Sequence, residues 1–355
     1  MLNNTVYKLK KDKSLRVAYF GGSITEGAGS SDPTKTCYRA KTTAHLKEKF
    51  PECEITEINA AIGGTGTSLG MFRVKPDVLS YSPDLIFVEF ATNDFGDTAE
   101  HVIPQTESII RTIRRTAPNC DIVFLFSTAL MVKEELDAGG TFESKIAQKK
   151  VTDYYGILSI DFGEYLLDYV YNKMGKEYVD YAPDTLHPGD NGYEVITDYI
   201  LSILDPILDA EPSDEMVNYT LPEKFDVTSS DKGDIIFPAN LKGLTLNGFE
   251  LKNESYCNFP SYLEAKSGNA EFTFTFEGSG FGFYRAPGDA GLDFAVSIDG
   301  GEDIINLSWD REVRSFHRMG NAVVTKSLED KLHTVRVKTL CDGEAYTRIG
   351  GIFVC

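Results

Sequence analysis

The sequence predicts two folds in one chain, an α/β domain built on a parallel sheet and then an antiparallel β-sandwich. Two textures carry this expectation. Up to about residue 210, short apolar runs alternate with longer stretches of helical period, and the connections are too long for hairpins. Beyond that point the helical period vanishes, and apolar and polar residues alternate between Gly, Asp-Gly and Pro-Gly turns. Length agrees, because 355 residues exceed the roughly 100–200 residues of a usual domain. The expected domains are 1–210 and 211–355.

Taken in order, the expected strands are RVAYF at 16–20, EITEINA at 54–60, DLIFVEF at 84–90, DIVFLFS at 121–127 and GILSID at 156–161. Helical period is found near 36–50, 71–80, 100–116 and 142–155, and another helix starts at Asp190 or Asn191. Strands separated by helices argue for a parallel sheet covered on both faces. The segment LDPILDAEPSDE at 204–215 reads as a helix end and a linker. The alternating segments of the second domain are 270–288, 292–309 and 333–355.

Net charge is −19, with 54 acidic against 35 basic residues and no Lys/Arg cluster long enough to make a basic stripe. Nucleic acid and anionic membranes both need a concentrated positive face, so neither is an expected partner, and a neutral one such as a sugar fits better. The amino-terminal stretch lacks a continuous apolar core, and no run of about 18 apolar residues follows, so a cytoplasmic location is expected. The cysteines Cys37, Cys53, Cys120, Cys257, Cys341 and Cys355 are scattered without a C-x-x-C pair. Free thiols are expected.

The stretch RVAYFGGSITEGAGS at 16–30 runs from an apolar strand directly into two glycines and a serine. Loops at the carboxyl ends of parallel strands are where α/β proteins bind ligands, so Ser23 would stand at the edge of a crevice. Three glycine motifs do not fit this stretch. A phosphate loop needs a lysine where Ala28 stands, a dinucleotide fingerprint is not completed by Gly27, Gly29 and Asp32, and a nucleophile elbow needs glycine where Thr25 stands. A nucleophilic serine in another setting remains, and it requires a base held by an acid. Asp184 and His187 are three residues apart, just before a helix, with Pro188 fixing the backbone after the histidine. An ordinary surface turn with a helix cap is the alternative. Gly63 and Gly64 follow the second strand and Asn93 the third, where N–H groups could meet a developing oxyanion. Each alone would be a turn or a cap.

Together, GGSITEG around Ser23, NAAIGGTGTS, EFATND with Asn93 and DTLHP with Asp184 and His187 resemble the SGNH (GDSL-type) hydrolases. In the second block Gly64 is the better match. The resemblance covers about residues 15 to 205. One departure is that the common Gly-Asp-Ser start is Gly-Gly-Ser here, a variant familiar in bacterial members. The resemblance implies a flavodoxin-like three-layer α/β/α fold and ester hydrolysis through an acyl-serine. It implies Ser23 as nucleophile, His187 as base and Asp184 as its orienting acid. The N–H groups of Ser23 and Gly64 and the side chain of Asn93 would form the oxyanion hole. No metal or organic cofactor is implied.

The other histidines, His45, His101, His317 and His333, are dispersed, and surface, capping or structural roles are expected of His45, His101 and His333. The only tryptophan, Trp309, could stack on a sugar or belong to the core of the β-sandwich. An SGNH domain followed by a sandwich that looks like a carbohydrate-binding module resembles bacterial acetylesterases acting on plant-derived oligosaccharides, most closely the mannan or glucomannan type. Alternatives are an acetyl-xylan esterase, a short-chain lipid or thioester hydrolase, and a non-catalytic glycan-binding protein. Assembly is left open, a homodimer included.

Overall fold

The computed structural model describes residues 2–266, 268–286, 293–306, 320–325, 327–340 and 346–355. The chain forms two compact units, the first ending at Asp231 and the second spanning Lys232–Cys355. In the first, strands β1 (Ser14–Gly21), β2 (Glu54–Asn59), β3 (Leu85–Glu89), β4 (Asp121–Leu125) and β5 (Leu158–Ile160) form one sheet in the order β2-β1-β3-β4-β5. Every pairing is parallel. The helices are α1 (Asn3–Tyr7), α2 (Ser23–Glu26), α3 (Tyr38–Lys49), α4 (Thr67–Arg73), α5 (Ala99–Thr116), α6 (Leu130–Asp137), α7 (Glu143–Tyr154), α8 (Phe162–Asp168) and α9 (Asp190–Leu208).

All residues of β3 and β4 are buried, as a parallel sheet sandwiched between helices requires. Alternate residues serve opposite faces. Val17, Tyr19, Leu85, Phe87, Val123 and Leu125 share a core with residues of α3, α8 and α9. On the other side, Phe20 packs edge-on against Phe90, which touches the turn of α4 at Gly70, where Ile109 of α5 also arrives. The helix expected at 71–80 starts earlier, at Thr67, and passes after Arg73 into a wider turn at Val74–Val78 and a tighter one at Leu79–Tyr81. Among the described residues no helix is long and apolar enough to cross a membrane.

The first unit extends past the expected 210/211 boundary because residues beyond 211 are tied back to it. Val217 exchanges hydrogen bonds with the Asn4 side chain, its N–H reaching Oδ1 at 2.7 Å and its carbonyl accepting from Nδ2 at 2.8 Å. Tyr219 donates to the buried Asp121 carboxylate, which also accepts from the N–H and hydroxyl of Thr5. The buried Glu107 accepts the N–H groups of Phe225 and Asp226, both at 2.7 Å.

In the second unit, all described strand pairings are antiparallel. Its strands are β6 (Asp234–Ile236), β7 (Lys242–Asn247), β8 (Phe249–Lys252), β9 (Tyr262–Ala265), β10 (Glu271–Gly278), β11 (Phe281–Arg285), β12 (Asp293–Ile298), β13 (Ile304–Asn306), β14 (Gly320–Thr325), β15 (Lys331–Leu340) and β16 (Thr347–Val354). They form one sheet in the order β13-β12-β15-β10-β7 and another in the order β14-β11-β16-β9-β8, with β6 on β16. Phe272, Phe274 and Phe276 of β10, Phe281 and Phe283 of β11, Val335 and Val337 of β15 and Ile349 and Ile352 of β16 fill a core shared by both sheets. That shared core makes the unit a sandwich. Trp309, His317 and Cys341 lie outside the described residues.

Candidate active site

The order β2-β1-β3 reverses direction between β1 and β3, and the crevice beyond the carboxyl ends of such neighbours is the binding position of open α/β sheets. Ser23 opens the short helix α2 two residues past β1, and Asn93 stands exposed four residues past β3. Gly22 links the two strand ends, its N–H reaching the carbonyl of Glu89 at 3.3 Å.

Asp184 and His187 arrive from the loop before α9. The imidazole Nε2 lies 2.8 Å from Ser23 Oγ, and Nδ1 lies 2.6 Å from Asp184 Oδ2. The other carboxylate oxygen, Oδ1, accepts the N–H groups of Leu186 at 3.0 Å and His187 at 2.6 Å, so Asp184 staples the turn that carries the histidine. Between them Thr185 holds a φ of 69°, a left-handed conformation that costs a β-branched residue on the order of 1–3 kcal/mol. Thr185 is held there by its N–H to Ala182 O at 2.8 Å and by its carbonyl, which accepts from Leu130 at the start of α6 at 2.9 Å. The Tyr193 hydroxyl of α9 shares its one proton between the carbonyls of Ile24 and Ala28, at 3.0 and 2.8 Å, and so fastens the histidine's helix to the serine's loop.

Burial opposes the charge of Asp184, but hydrogen bonds from the His187 side chain and from the backbone of His187 and Leu186 outweigh it and hold the carboxyl below its ordinary range. It therefore stays ionised and fixes the ring with Nδ1–H toward itself and a bare Nε2 toward Ser23.

The two glycines of the second block differ. Gly63 lies against Ser23, but its N–H is taken by the Glu26 carboxylate at 3.0 Å. Gly64 has a φ of 75°, and its amide makes no hydrogen bond among the described residues. Asn93 lies directly over Gly22: a Cβ on that glycine would stand 3.0 Å from Asn93 Cγ and closer still to Oδ1. The residue after Asn93 is buried. Asp94 accepts from the N–H of Thr67 at 2.9 Å, from the Thr67 hydroxyl at 2.8 Å and from Gln148 at 2.6 Å, and burial pushes its carboxyl up to about 7.

The structure thus brings Ser23, Asp184, His187, Gly63, Gly64 and Asn93 to one edge of the sheet. Sequence reasoning missed Glu89 and Asp94, although a carboxylate closing the otherwise apolar run LIFVE was a visible signal. Among the described residues, no three or more His, Cys, Asp and Glu side chains gather as a metal site. His45 pairs with Asp205 at 2.9 Å, and His333 is buried between Asp299 and the carbonyl of Glu329. The cysteines Cys37, Cys53, Cys120, Cys257 and Cys355 are unbridged.

No curated protein matches the chain. Among solved structures, a two-domain esterase (CEX) active on acetylated mannans is similar over 100% of this chain and 95% of its own, at 21% identity and a TM-score of 0.80. The same esterase co-crystallized with mannopentaose is similar over 98% of this chain and 94% of its own, at 22% identity and a TM-score of 0.77. At such identity the likeness speaks for the fold of both units. Family membership rests on the sequence: residues 19–195 match the GDSL-like lipase/acylhydrolase family, a span that begins in β1 and ends in α9 and so contains every motif residue just described. Through that segment the chain belongs to the GDSL-like lipase/acylhydrolase family, and it is an ester-hydrolysing enzyme.

Proposed function

We propose that the protein is a carbohydrate O-acetyl esterase that removes acetyl groups from plant-polysaccharide-derived oligosaccharides, with acetylated mannan or glucomannan as the substrate class. The observation that carries the chemistry is the 2.8 Å contact between Ser23 Oγ and His187 Nε2, with a carboxylate on the opposite ring nitrogen. In this reading Ser23 Oγ attacks the acetyl carbonyl carbon as its proton passes to Nε2. The carbonyl oxygen becomes an oxyanion met by the N–H groups of Ser23 and Gly64 and the amide of Asn93. Collapse breaks the ester C–O bond, and the proton on Nε2 passes to the departing sugar alkoxide. Water then gives its proton to Nε2, attacks the acetyl-serine and releases acetate, returning the proton to Ser23.

The substrate class is supported by a full-length fold likeness to an esterase active on acetylated mannans. A net charge of −19 also suits a neutral glycan better than an anionic one. Mass spectrometry of acetylated manno- and xylo-oligosaccharides before and after treatment tests the proposal. Loss of acetyl groups from the manno series, abolished in Ser23→Ala, is the expected result. Deacetylation confined to the xylo series would move the substrate, and undiminished turnover in Ser23→Ala would remove the serine from the mechanism.

A further inference from the structure

Glu89 closes β3 with a side chain that is 1% exposed. An apolar residue there would cost nothing to bury, whereas a carboxyl must be hydrogen-bonded to be tolerated. Its Oε2 accepts from the Thr25 hydroxyl at 2.9 Å and its Oε1 from the Ser127 hydroxyl at 2.5 Å. Each of these hydroxyls meets a second one, Thr25 Oγ1 lying 2.8 Å from Tyr38 OH and Ser127 Oγ 2.6 Å from Thr92 Oγ1. Ser127 Oγ also accepts the N–H of Thr92 at 3.2 Å. Burial pushes the Glu89 carboxyl up, and the hydrogen bonds from Ser127 and Thr25 oppose that. A hydroxyl has one proton to give, so with Glu89 ionised both arms run toward it: Tyr38 donates to Thr25 and Thr25 to Glu89, while Thr92 donates to Ser127 and Ser127 to Glu89. All five side chains are buried. Thr25 is two residues after Ser23, and Thr92 immediately precedes Asn93.

We infer that Glu89 is a positioning residue which, through Thr25 on one side and Ser127 and Thr92 on the other, holds the Ser23 turn in register with the Asn93 loop. Its backbone takes part as well, since the Glu89 carbonyl accepts the N–H of Gly22. The carboxylate touches no reacting atom. It sets the separation between nucleophile and oxyanion donor, a separation to which rate is steeply sensitive. The inference rests on the roles proposed for Ser23 and Asn93.

The test uses four variants of the full chain, with p-nitrophenyl acetate as substrate and a fluorophosphonate as a probe of Ser23 reactivity. Glu89→Gln keeps the shape but puts an NH₂ where one arm must then reverse. Thr25→Val removes one arm, and Thr25→Ser restores its hydroxyl. Glu89→Gln and Thr25→Val are expected to lower kcat and the phosphonylation rate together by roughly 10- to 100-fold, as misplacement on the order of 1 Å would, with KM little changed. Thr25→Ser should return kcat to within about twofold of the parent. If Glu89→Gln does not fold, the Thr25 pair decides. The inference is overturned if Thr25→Val and Glu89→Gln melt earlier yet keep kcat, or if Thr25→Ser loses as much kcat as Thr25→Val. Ser23→Ala separates the two levels: an active Ser23→Ala sinks the functional reading, whereas an inactive one beside fully active Glu89→Gln and Thr25→Val sinks only this inference.

Discussion

Gly22→Ala tests the oxyanion role proposed for Asn93 without touching a reacting group. Gly22 has φ −92° and ψ −153°, extended backbone that alanine adopts freely, so the substitution acts through contact alone. The new Cβ would stand 3.0 Å from Asn93 Cγ, closer to its Oδ1, and 3.3 Å from the carbonyl of Thr65. The Asn93 amide is exposed and is the end of a flexible side chain, so it is what yields. Displacing one oxyanion donor costs about 10²–10³ in kcat, or roughly 2.7–4 kcal/mol of transition-state stabilisation. We therefore expect Gly22→Ala to lose that much kcat on p-nitrophenyl acetate, with KM and melting temperature nearly unchanged. Asn93→Ala should lose a similar amount. The decisive measurement is the double variant: if Gly22→Ala works only by moving Asn93, Gly22→Ala/Asn93→Ala will be no slower than Asn93→Ala alone. Additive losses would refute the reasoning, as would a Gly22→Ala enzyme with normal kcat. Gly21→Ala is the contrast, because its Cβ would lie 2.5 Å from the backbone carbonyl of Glu89, which cannot swing away, so this variant should lose stability first.

Other perturbations separate structural from chemical roles. Asp184→Asn removes the charge that orients His187 and should cost about 10⁴ in kcat at pH 7. Because the Asp184 carboxyl is held below its ordinary range, its charge is in place above that range and is lost only as pH falls through the lowered value, so in the parent this group leaves kcat level from about pH 5 upward. A kcat of Asp184→Asn within tenfold of the parent, a margin of about 1.4 kcal/mol, would remove the orienting role. His333 lies 2.8 Å from the Asp299 carboxylate and 2.7 Å from the carbonyl of Glu329, both pure acceptors, so both ring nitrogens must donate. Burial opposes the charge, but these partners prevail and raise its pKa. The stability it contributes is full below the ordinary histidine value of about 6.5 and is lost as pH rises through the raised one. Melting curves between pH 6 and 9 should show this slope in the parent and a flatter one in Asp299→Asn; equal slopes would deny it. Finally, a chain ending at 231 should hydrolyse p-nitrophenyl acetate and melt above one ending at 210. The shorter chain strips partners from Asn4, Glu107 and Asp121, at about 1–3 kcal/mol for each buried group left unpaired. Equal melting temperatures would mean that residues 211–231 are only a tether.

Much of this was legible in the sequence where one physical signal dominates. The apolar runs of β3 and β4 are buried along their whole length, and the Phe-Thr alternation of β10 is a period-two pattern that only a half-buried strand satisfies. Elements escaped notice where burial is incomplete. β7 is exposed at nearly every position, so its Leu-Thr-Leu-Asn alternation has no buried face behind it, and α6 buries only Val132. The tie between 211–231 and the first unit was hidden for another reason: it is made by buried carboxylates and an asparagine meeting backbone groups and the Tyr219 hydroxyl over 98 to 213 positions of sequence, which no local pattern encodes. What distinguishes Gly63 from Gly64 was likewise beyond spacing, since it lies in where Glu26 sends its carboxylate.

Buried polar side chains give a second route to the site, independent of any motif. In a sheet whose strands are otherwise apolar, each buried carboxyl or hydroxyl needs partners to offset its desolvation, so its partners say what it is for. Asp121, at the amino end of β4, spends its acceptors on Thr5 and Tyr219, which belong to the two end segments of the first unit. That is a staple between distant parts of the fold. Glu89, one strand away and at the opposite end, spends its acceptors on Thr25 and on Ser127, which leads to Thr92, while Asp94, five residues further on, accepts the N–H of Thr67 at the start of α4. Thr25 lies two residues after Ser23 and Thr92 directly before Asn93. The same cost is met at both ends of the sheet, but only at the carboxyl end does it fix the positions of Ser23 and Asn93, so energetics and topology select the same edge.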